Sequence, residues 1–345
     1  MKIAVLAAGT STERDVSVST SKNVCASLRR NGYQANMIDV FFGTNEYESA
    51  DAFFAADNDL EKTAEKMLAD TDSVEDEVAA RKETKASFFG DNVLEYCEAA
   101  DIVFLGLHGA NGEDGKIQAT FDLLNIKYTG TDYISSAVSM DKALTKKVLV
   151  SSGIPMPKGI VLNKNQEIPE FPIPCVVKPA CGGSSVGVTI VKEEAQFKKA
   201  LEEAFALEDT VVIEEFVSGR EFSIGVFDGK AMPIVEIAAK DGVYDYKNKY
   251  DANGAVETCP ADLPEDVAKV MQHWAEEACK AAGVTTLARV DELLNEKMEP
   301  FALEINTLPG MTATSLVPKE AAALGWSYDD LTKKIIEISL KKYEA

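Results

Sequence analysis

Histidine and tryptophan are nearly missing: the 345 residues hold two of each. With only His108 and His273, a metal centre built from several imidazoles is excluded. Six cysteines (Cys25, Cys97, Cys175, Cys181, Cys259, Cys279) are scattered without C-x-x-C spacing, which argues against a zinc site and a disulfide framework and for reduced thiols. Positive charge is short too. Against 57 Asp and Glu stand 35 Lys and Arg, a formal net charge of −22. Nucleic acid and anionic membranes both need clustered Lys and Arg, so neither is an expected partner. No window approaches the roughly 20 apolar residues of a membrane span. The apolar opening Met1 to Gly9 is too short for a signal peptide and breaks into a Gly/Thr/Ser loop, so it reads as a buried first strand of a cytoplasmic protein.

What is present describes a soluble globular chain, 46% hydrophobic and 27% charged, long enough for two or three domains. Up to about residue 130 the pattern is βαβ-like: strand 3–7, a loop, a helix over 18–30, strand 34–41, an acidic helical excursion, and strand 102–107. An open α/β domain follows from that order. The excursion is the most charged part of the chain. Residues 45–101 carry 17 Asp and Glu against 5 Lys and Arg, a net of −12, which reads as solvated helical faces over Leu60 to Leu68 and Glu75 to Lys85. The loop after strand 102–107, His108-Gly-Ala-Asn-Gly-Glu-Asp-Gly115, and the loop Gly9 to Asp15 both leave carboxyl ends of strands, the edge where open α/β sheets bind ligands. Turn chemistry accounts for their glycines equally well.

Farther on, Cys175-Val-Val-Lys178 is a strand ending in a lysine, followed by Cys181-Gly-Gly-Ser-Ser-Val-Gly187 and strand 188–191. The pattern is not G-x-x-x-x-G-K-[ST], so this is no P-loop opening a helix. A glycine and serine hairpin can still cradle phosphate, because glycines let backbone N–H groups approach an anion. Val211 to Val217 forms the next strand, and Tyr328 to Lys342 an amphipathic helix.

Ala288-Arg-Val-Asp291 and Leu303-Glu-Ile-Asn306, joined by a polar turn at 295–299, predict a β-hairpin. Pairing residues whose numbers sum to 595 sets Asp291 opposite Glu304 and Arg289 opposite Asn306, all four on one face, with Val290 and Ile305 facing a core. Two opposed carboxylates repel, so a cation bound by Asp291, Glu304 and Asn306 rationalises the cluster, and oxygen ligands suggest Mg²⁺. A solvated acidic hairpin face is the alternative reading.

Taken together, these features resemble the ATP-grasp fold and, within it, the D-alanine–D-alanine ligase family. The resemblance rests on Gly9-Thr-Ser-Thr-Glu-Arg-Asp-Val-Ser17, His108-Gly-x-x-Gly-Glu-Asp-Gly115, Tyr128-Thr-Gly130, Met140-Asp-Lys142 and the Lys178 to Gly187 loop. It continues through Glu214 to Glu221, Tyr244 to Tyr250, Arg289-x-Asp291 and Glu304-x-Asn-Thr-x-Pro-Gly-Met-Thr312 with Ser315, and so spans essentially the whole chain.

The resemblance implies a fold that is α/β, with α+β character in the ATP-grasp part: a three-domain ATP-grasp architecture with an N-terminal open α/β domain. The expected boundaries are 1–130, 131–213 and 214–345. It also implies roles. Lys142 and Lys178 would neutralise ATP phosphates and Ser184 and Ser185 would close over them. Glu214, Glu215 and Val217 would meet adenine along the backbone, and Glu221 would hold the ribose. Mg²⁺, or Mn²⁺ in its place, would sit on Asp291, Glu304 and Asn306. Glu13 would pair with the ammonium of the first D-alanine, linked to Ser184 and Tyr250, with His108 beside that site. Arg289 and the Gly310 backbone would stabilise an oxyanion, Ser315 would seat the second D-alanine, and Lys249 and Tyr250 would belong to a lid. The implied reaction is ATP-dependent ligation of two D-alanines through an acyl phosphate, for peptidoglycan precursor synthesis, in a cytoplasmic homodimer. Ligases joining D-alanine to D-lactate or D-serine are the nearest alternatives; Tyr250 favours D-alanine over D-lactate, whose ligases resemble this pattern with a histidine there. A non-catalytic nucleotide-binding protein of the same fold is the alternative from another class.

Overall fold

The computed structural model describes residues 1–183, 186–239 and 255–344. Two compact units are present: Met1–Ser136 with Thr285–Leu287 and Thr307–Ala345, and Ala137–Val284 with Ala288–Asn306.

In the first unit, β1 (Lys2–Ala7), β2 (Gln34–Asp39) and β3 (Ile102–Leu105) form a parallel sheet in the order β2-β1-β3. Residues Ile3 to Ala7 of β1 are fully buried, which is why a central parallel strand reads as an unbroken apolar run. Phe53, Tyr96, Phe121 and Tyr128 fill one side of the sheet, with Phe53 and Tyr96 stacked at 4.5 Å. The helix Arg14–Arg30 starts four residues before the expected 18. Its inward face carries the hydroxyls of Ser17, Thr20 and Ser21, all buried, so an apolar period does not reveal the first turns. Ser17 Oγ accepts the Ala8 N–H and donates to the Gly106 carbonyl, at 2.8 and 2.7 Å.

The acidic excursion is helical at Leu60–Ala69 and Val74–Thr84. Asp59 caps the first of these by accepting from the Glu61 and Lys62 N–H groups. The second buries only Val74 and is held by Arg81, whose guanidinium lies 4.1 Å from the Phe41 ring centroid.

At the far end of this unit Lys342 donates to the Gly130 carbonyl at 2.5 Å and lies 4.2 Å from the Tyr128 ring centroid. Burial lowers its pKa to about 8 from 10.5. The folded state therefore binds fewer protons than the unfolded chain between those values, so this stabilising contribution is present above 10.5 and lost as pH falls through 8. Thermal melts at pH 7.5 and 9.5 should show the wild type gaining on Lys342→Met as pH rises; a pH-independent difference would contradict the assignment.

The second unit holds two sheets. In one, β4 (Gly159–Asn163), β5 (Cys175–Pro179), β6 (Thr189–Val191) and β7 (Thr210–Glu215) are antiparallel in the order β4-β7-β5-β6. The other contains β8 (Gly219–Phe227), β9 (Lys230–Ala231), β10 (Val235–Ala239), β11 (Ala255–Thr258), β12 (Leu287–Asn295) and β13 (Pro300–Asn306). Its order is β11-β10-β8-β12-β13, with β9 on β8. The helix Glu265–Ala282 presents Met271, Ala275, Ala278 and Ala282, a spacing of four, three and four, to a core that includes Val290, Leu294 and Ile305.

Candidate active site

Three elements of the second unit carry the nucleotide and metal candidates. In the β12–β13 hairpin Arg289 pairs with Asn306 and Asp291 with Glu304, and Val290 and Ile305 are buried on the other face. The register shifts after Asp291, where Glu292 pairs with Ala302. Arg289 forks onto Asp291 through Nε and Nη2, both at 2.8 Å, and Asn306 Nδ2 donates to Asp291 at 3.2 Å. Lys142 Nζ lies 3.3 Å from Glu304 and donates to the Gly182 carbonyl at 2.5 Å. The acids of the hairpin thus meet cations of the chain itself. Among the described residues no group of three or more His, Cys, Asp or Glu side chains is arranged to hold a metal ion; the hairpin set offers two carboxylates and the Asn306 amide.

Lys142 opens the helix Lys142–Ser151, capped by Asp141, which accepts from the Ala143 and Leu144 N–H groups. Its own N–H bonds the Ala180 carbonyl at 2.8 Å, so the helix start is pinned just beyond β5. β5 and β7 pair Lys178 with Val212 and Val176 with Glu214. Lys178 and Glu214 are therefore diagonal neighbours on one face, and Lys178 Nζ meets Glu214 at 2.6 Å. Lys146, one helical turn after Lys142, reaches the same carboxylate at 2.7 Å. Burial alone would raise the Glu214 pKa, but Lys178 and Lys146 outweigh it and hold the carboxyl below its usual value. Glu215 accepts the Lys158 N–H at 2.8 Å at the end of β7; Val217 follows in the connection to β8, and Glu221 lies in β8.

In the first unit the loops after β1 and β3 touch, as their shared sheet edge predicts. Ser11 Oγ donates to the His108 carbonyl at 2.7 Å, and Asn111 Nδ2 to Thr10 Oγ1 at 3.0 Å. Gly109 sits at φ +67°, a conformation that favours glycine, and a Cβ there would come within 2.9 Å of Glu13 Oε2 and push that carboxylate aside. Arg14 is buried beside it, donating to the Gly9 carbonyl at 2.7 Å and the Met67 carbonyl at 2.9 Å, and pairing with Asp39.

The segment Thr307 to Thr312 is held from several sides. His108 Nδ1 lies 2.9 Å from the Leu308 carbonyl and Nε2 2.9 Å from Thr20 Oγ1; a neutral ring protonated on Nδ1 satisfies both. Glu113 accepts from the Gly109 and Leu308 N–H groups at 2.9 and 3.0 Å. Tyr328 donates to the Met311 carbonyl at 2.5 Å. Ser315 Oγ accepts the Thr312 N–H at 3.0 Å and would lie 2.9 Å from a Cβ on Gly310, so a side chain there would displace that hydroxyl.

With both groups of residues located, comparison with known proteins decides the family. The profile described as D-ala D-ala ligase N-terminus matches residues 2–131, and that described as D-ala D-ala ligase C-terminus matches residues 151–337. The chain belongs to the D-alanine–D-alanine ligase family. A D-alanine–D-alanine ligase of Pediococcus pentosaceus is 41% identical over 349 residues, covering 100% of this chain and 99% of that one. One from Lacticaseibacillus casei is 39% identical, covering 99% and 97%. Among solved structures, the D-alanine–D-alanine ligase from Bacillus anthracis complexed with ATP superposes with a TM-score of 0.77 at 30% identity, each chain covered in full.

Of the residues expected to act in a family ligase, Ser184, Ser185, Lys249 and Tyr250 lie outside the described residues. The second unit brings together Lys142 with Glu304, Arg289 with Asp291 and Asn306, and Lys178 with Glu214. The first places Glu13 beside Gly109, and Gly310 beside Ser315. Sequence reading missed Lys146, Thr20 and the Arg14–Asp39 pair. Lys146 had a signal, the spacing Lys142-x-x-x-Lys146 that puts two lysines on one helix face. Thr20 had none, because it contacts a residue 88 positions away.

Proposed function

We propose that this chain joins two D-alanine molecules into D-alanyl-D-alanine, with conversion of ATP to ADP and phosphate, as a cytoplasmic homodimer supplying peptidoglycan precursors. The observation that carries the reading is membership of the ligase family along the chain, and the hairpin that groups Arg289, Asp291, Glu304 and Asn306 on one face supports it. Residues 1–130, 131–213 and 214–345 serve as its three functional segments.

The carboxylate oxygen of the first D-alanine attacks the γ-phosphorus; the bond to ADP breaks and an acyl phosphate forms. The amine of the second D-alanine attacks the acyl carbon, loses a proton, and phosphate leaves. Such chemistry depends on positioning and charge neutralisation more than on general bases. Lys142 and Lys178 neutralise phosphates, Ser184 and Ser185 close over them, Glu214, Glu215 and Val217 border adenine, and Glu221 holds the ribose. Glu13 pairs with the first ammonium, and Ser184 and Tyr250 share in the catalytic role. Arg289 and the Gly310 N–H stabilise the oxyanion, Ser315 seats the second carboxylate, and Lys249 and Tyr250 exclude water from the acyl phosphate.

The donor set fits Mg²⁺: two carboxylates and an amide oxygen on one hairpin face, where the protein's own cations otherwise hold the acids. Asp291, Glu304 and Asn306 would hold it, or Mn²⁺, and when bound it supplies positive charge to the phosphoryl oxygens. His108, engaged at both ring nitrogens, acts by holding the Leu308 to Met311 backbone. Thr20→Val should therefore lower kcat about tenfold, the effect of leaving one buried polar partner unpaired, with KM for ATP unchanged and Thr20→Ser restoring the rate. Unaltered kcat in Thr20→Val would remove the assignment.

D-alanine labelled with ¹⁸O in its carboxylate tests the route. One labelled oxygen should appear in the released phosphate; unlabelled phosphate would exclude the acyl phosphate. D-serine and D-lactate as second substrates separate the alternatives, since a ligase specialised for either would prefer it to D-alanine.

A further inference from the structure

Lys178, the cation at the end of β5, cannot be understood from its contact with Glu214 alone. A lysine and a carboxylate 2.6 Å apart, with side chains 9% and 5% exposed, make a neutral pair. Such a pair presents a dipole, not a positive charge, to an anion. The structure supplies a third charge. Lys146 Nζ lies 2.7 Å from the other oxygen of Glu214, with its side chain also 9% exposed, so the buried group is two cations around one anion.

Three local features build this arrangement. Register puts Lys178 and Glu214 on the β5–β7 face that also carries Val212, against which Ala143 of the helix Lys142–Ser151 packs. The turn-length spacing from Lys142 aims Lys146 at that same face. Gly159, opposite Glu214 in β4, has no side chain, and a Cβ there would come within 2.9 Å of Glu214 Cγ. Lys146 also donates to the Pro157 carbonyl at 2.5 Å, which fixes its amine in place.

We propose that Lys146 is a positioning residue for phosphate binding: it offsets Glu214, so that the Lys178 end of the triad keeps a net charge of +1 for the nucleotide's phosphates. Glu214 in turn holds the Lys178 amine in one place. The inference rests on the ligase reading, because that reading is what puts phosphates at Lys178.

The test is Mg-ADP binding measured by titration calorimetry without D-alanine, at several salt concentrations, on wild type, Lys146→Gln, Lys146→Met and Lys146→Arg, each checked for folding by circular dichroism. Lys146→Gln and Lys146→Met leave the triad at net charge zero and should each bind about tenfold more weakly, equivalent to 1.4 kcal/mol, with a shallower dependence of affinity on salt. Lys146→Arg keeps the charge at +1 and should bind within threefold of wild type. A merely structural role for Lys146 predicts weaker binding with the wild type's salt dependence. Should one neutral variant fail to fold, the other still decides. Wild-type affinity in either neutral variant, or weaker binding with an unchanged salt dependence, overturns the proposal. No Mg-ADP binding by the wild type would instead overturn the ligase reading on which it rests.

Discussion

Glu304→Ala is expected to reduce ATP-dependent ligation by about 10³-fold or more while leaving the melting curve close to that of the wild type. The estimate follows from removing one precisely placed charge from a phosphoryl-transfer site, where single groups commonly contribute two to three orders of magnitude. Two roles are lost together. Glu304 is one of the two carboxylates on the β12–β13 face, and it is the partner of Lys142. Without it the face keeps only Asp291, which Arg289 already grips with two bonds at 2.8 Å. The fold should tolerate the change, because the Glu304 side chain is 26% exposed and the apolar contacts of the hairpin lie on the opposite face, at Val290 and Ile305. Steady-state ADP release and a thermal melt measure both halves of the expectation. Ligation at the wild-type rate would remove Glu304 from the metal and phosphate assignment.

Glu292→Leu is expected to stabilise the protein by about 1–3 kcal/mol, the range for relieving a buried polar group left without a partner. Glu292 follows Asp291 where the register shifts, lies opposite Ala302, and is fully buried. Neither of its carboxyl oxygens has a hydrogen-bond partner. Its strand neighbours on that face, Val290 and Leu294, belong to the hydrophobic core with Met271 and Ala275. Burial, followed by the charge of Asp291, pushes the Glu292 carboxyl well above the usual carboxylate range. Leucine is close in size, so the substitution exchanges an unpartnered acid for apolar contact with little change in volume. Chemical denaturation at neutral pH checks it; a variant less stable than wild type would mean that the carboxyl finds a partner in solution.

The two substitutions sit on opposite faces of one hairpin, which shows what the sequence made legible. Alternation along the strands was enough to put Arg289, Asp291, Glu304 and Asn306 together, and the observed pairing is the expected one as far as Asp291. The shift at Glu292 was not foreseen, because a bulge leaves no clear residue signature in this polar and apolar alternation. Strand pairing between β5 and β6 followed from the glycine hairpin between them. The helix Arg14–Arg30 was found late by four residues, since its buried first turns use hydroxyls where an amphipathic pattern uses apolar side chains.

Contacts that depend on distant backbone groups were out of reach. His108 meets the Leu308 carbonyl 200 residues away, and a carbonyl acceptor is common to every residue type. The same applies to Arg14, whose partners include the carbonyls of Gly9 and Met67. Lys146 stands between these cases. Its spacing from Lys142 was readable, but its value depends on Glu214, a residue 68 positions on, reaching across a sheet face that only the strand order defines.

The measurement that tests the central claim most directly is ADP release by the purified protein with Mg-ATP, in the presence of D-alanine or of L-alanine, with the product identified by mass. Release that depends on D-alanine and yields the mass of D-alanyl-D-alanine is the predicted result. Absence of release with D-alanine, or release that yields no dipeptide, would contradict it.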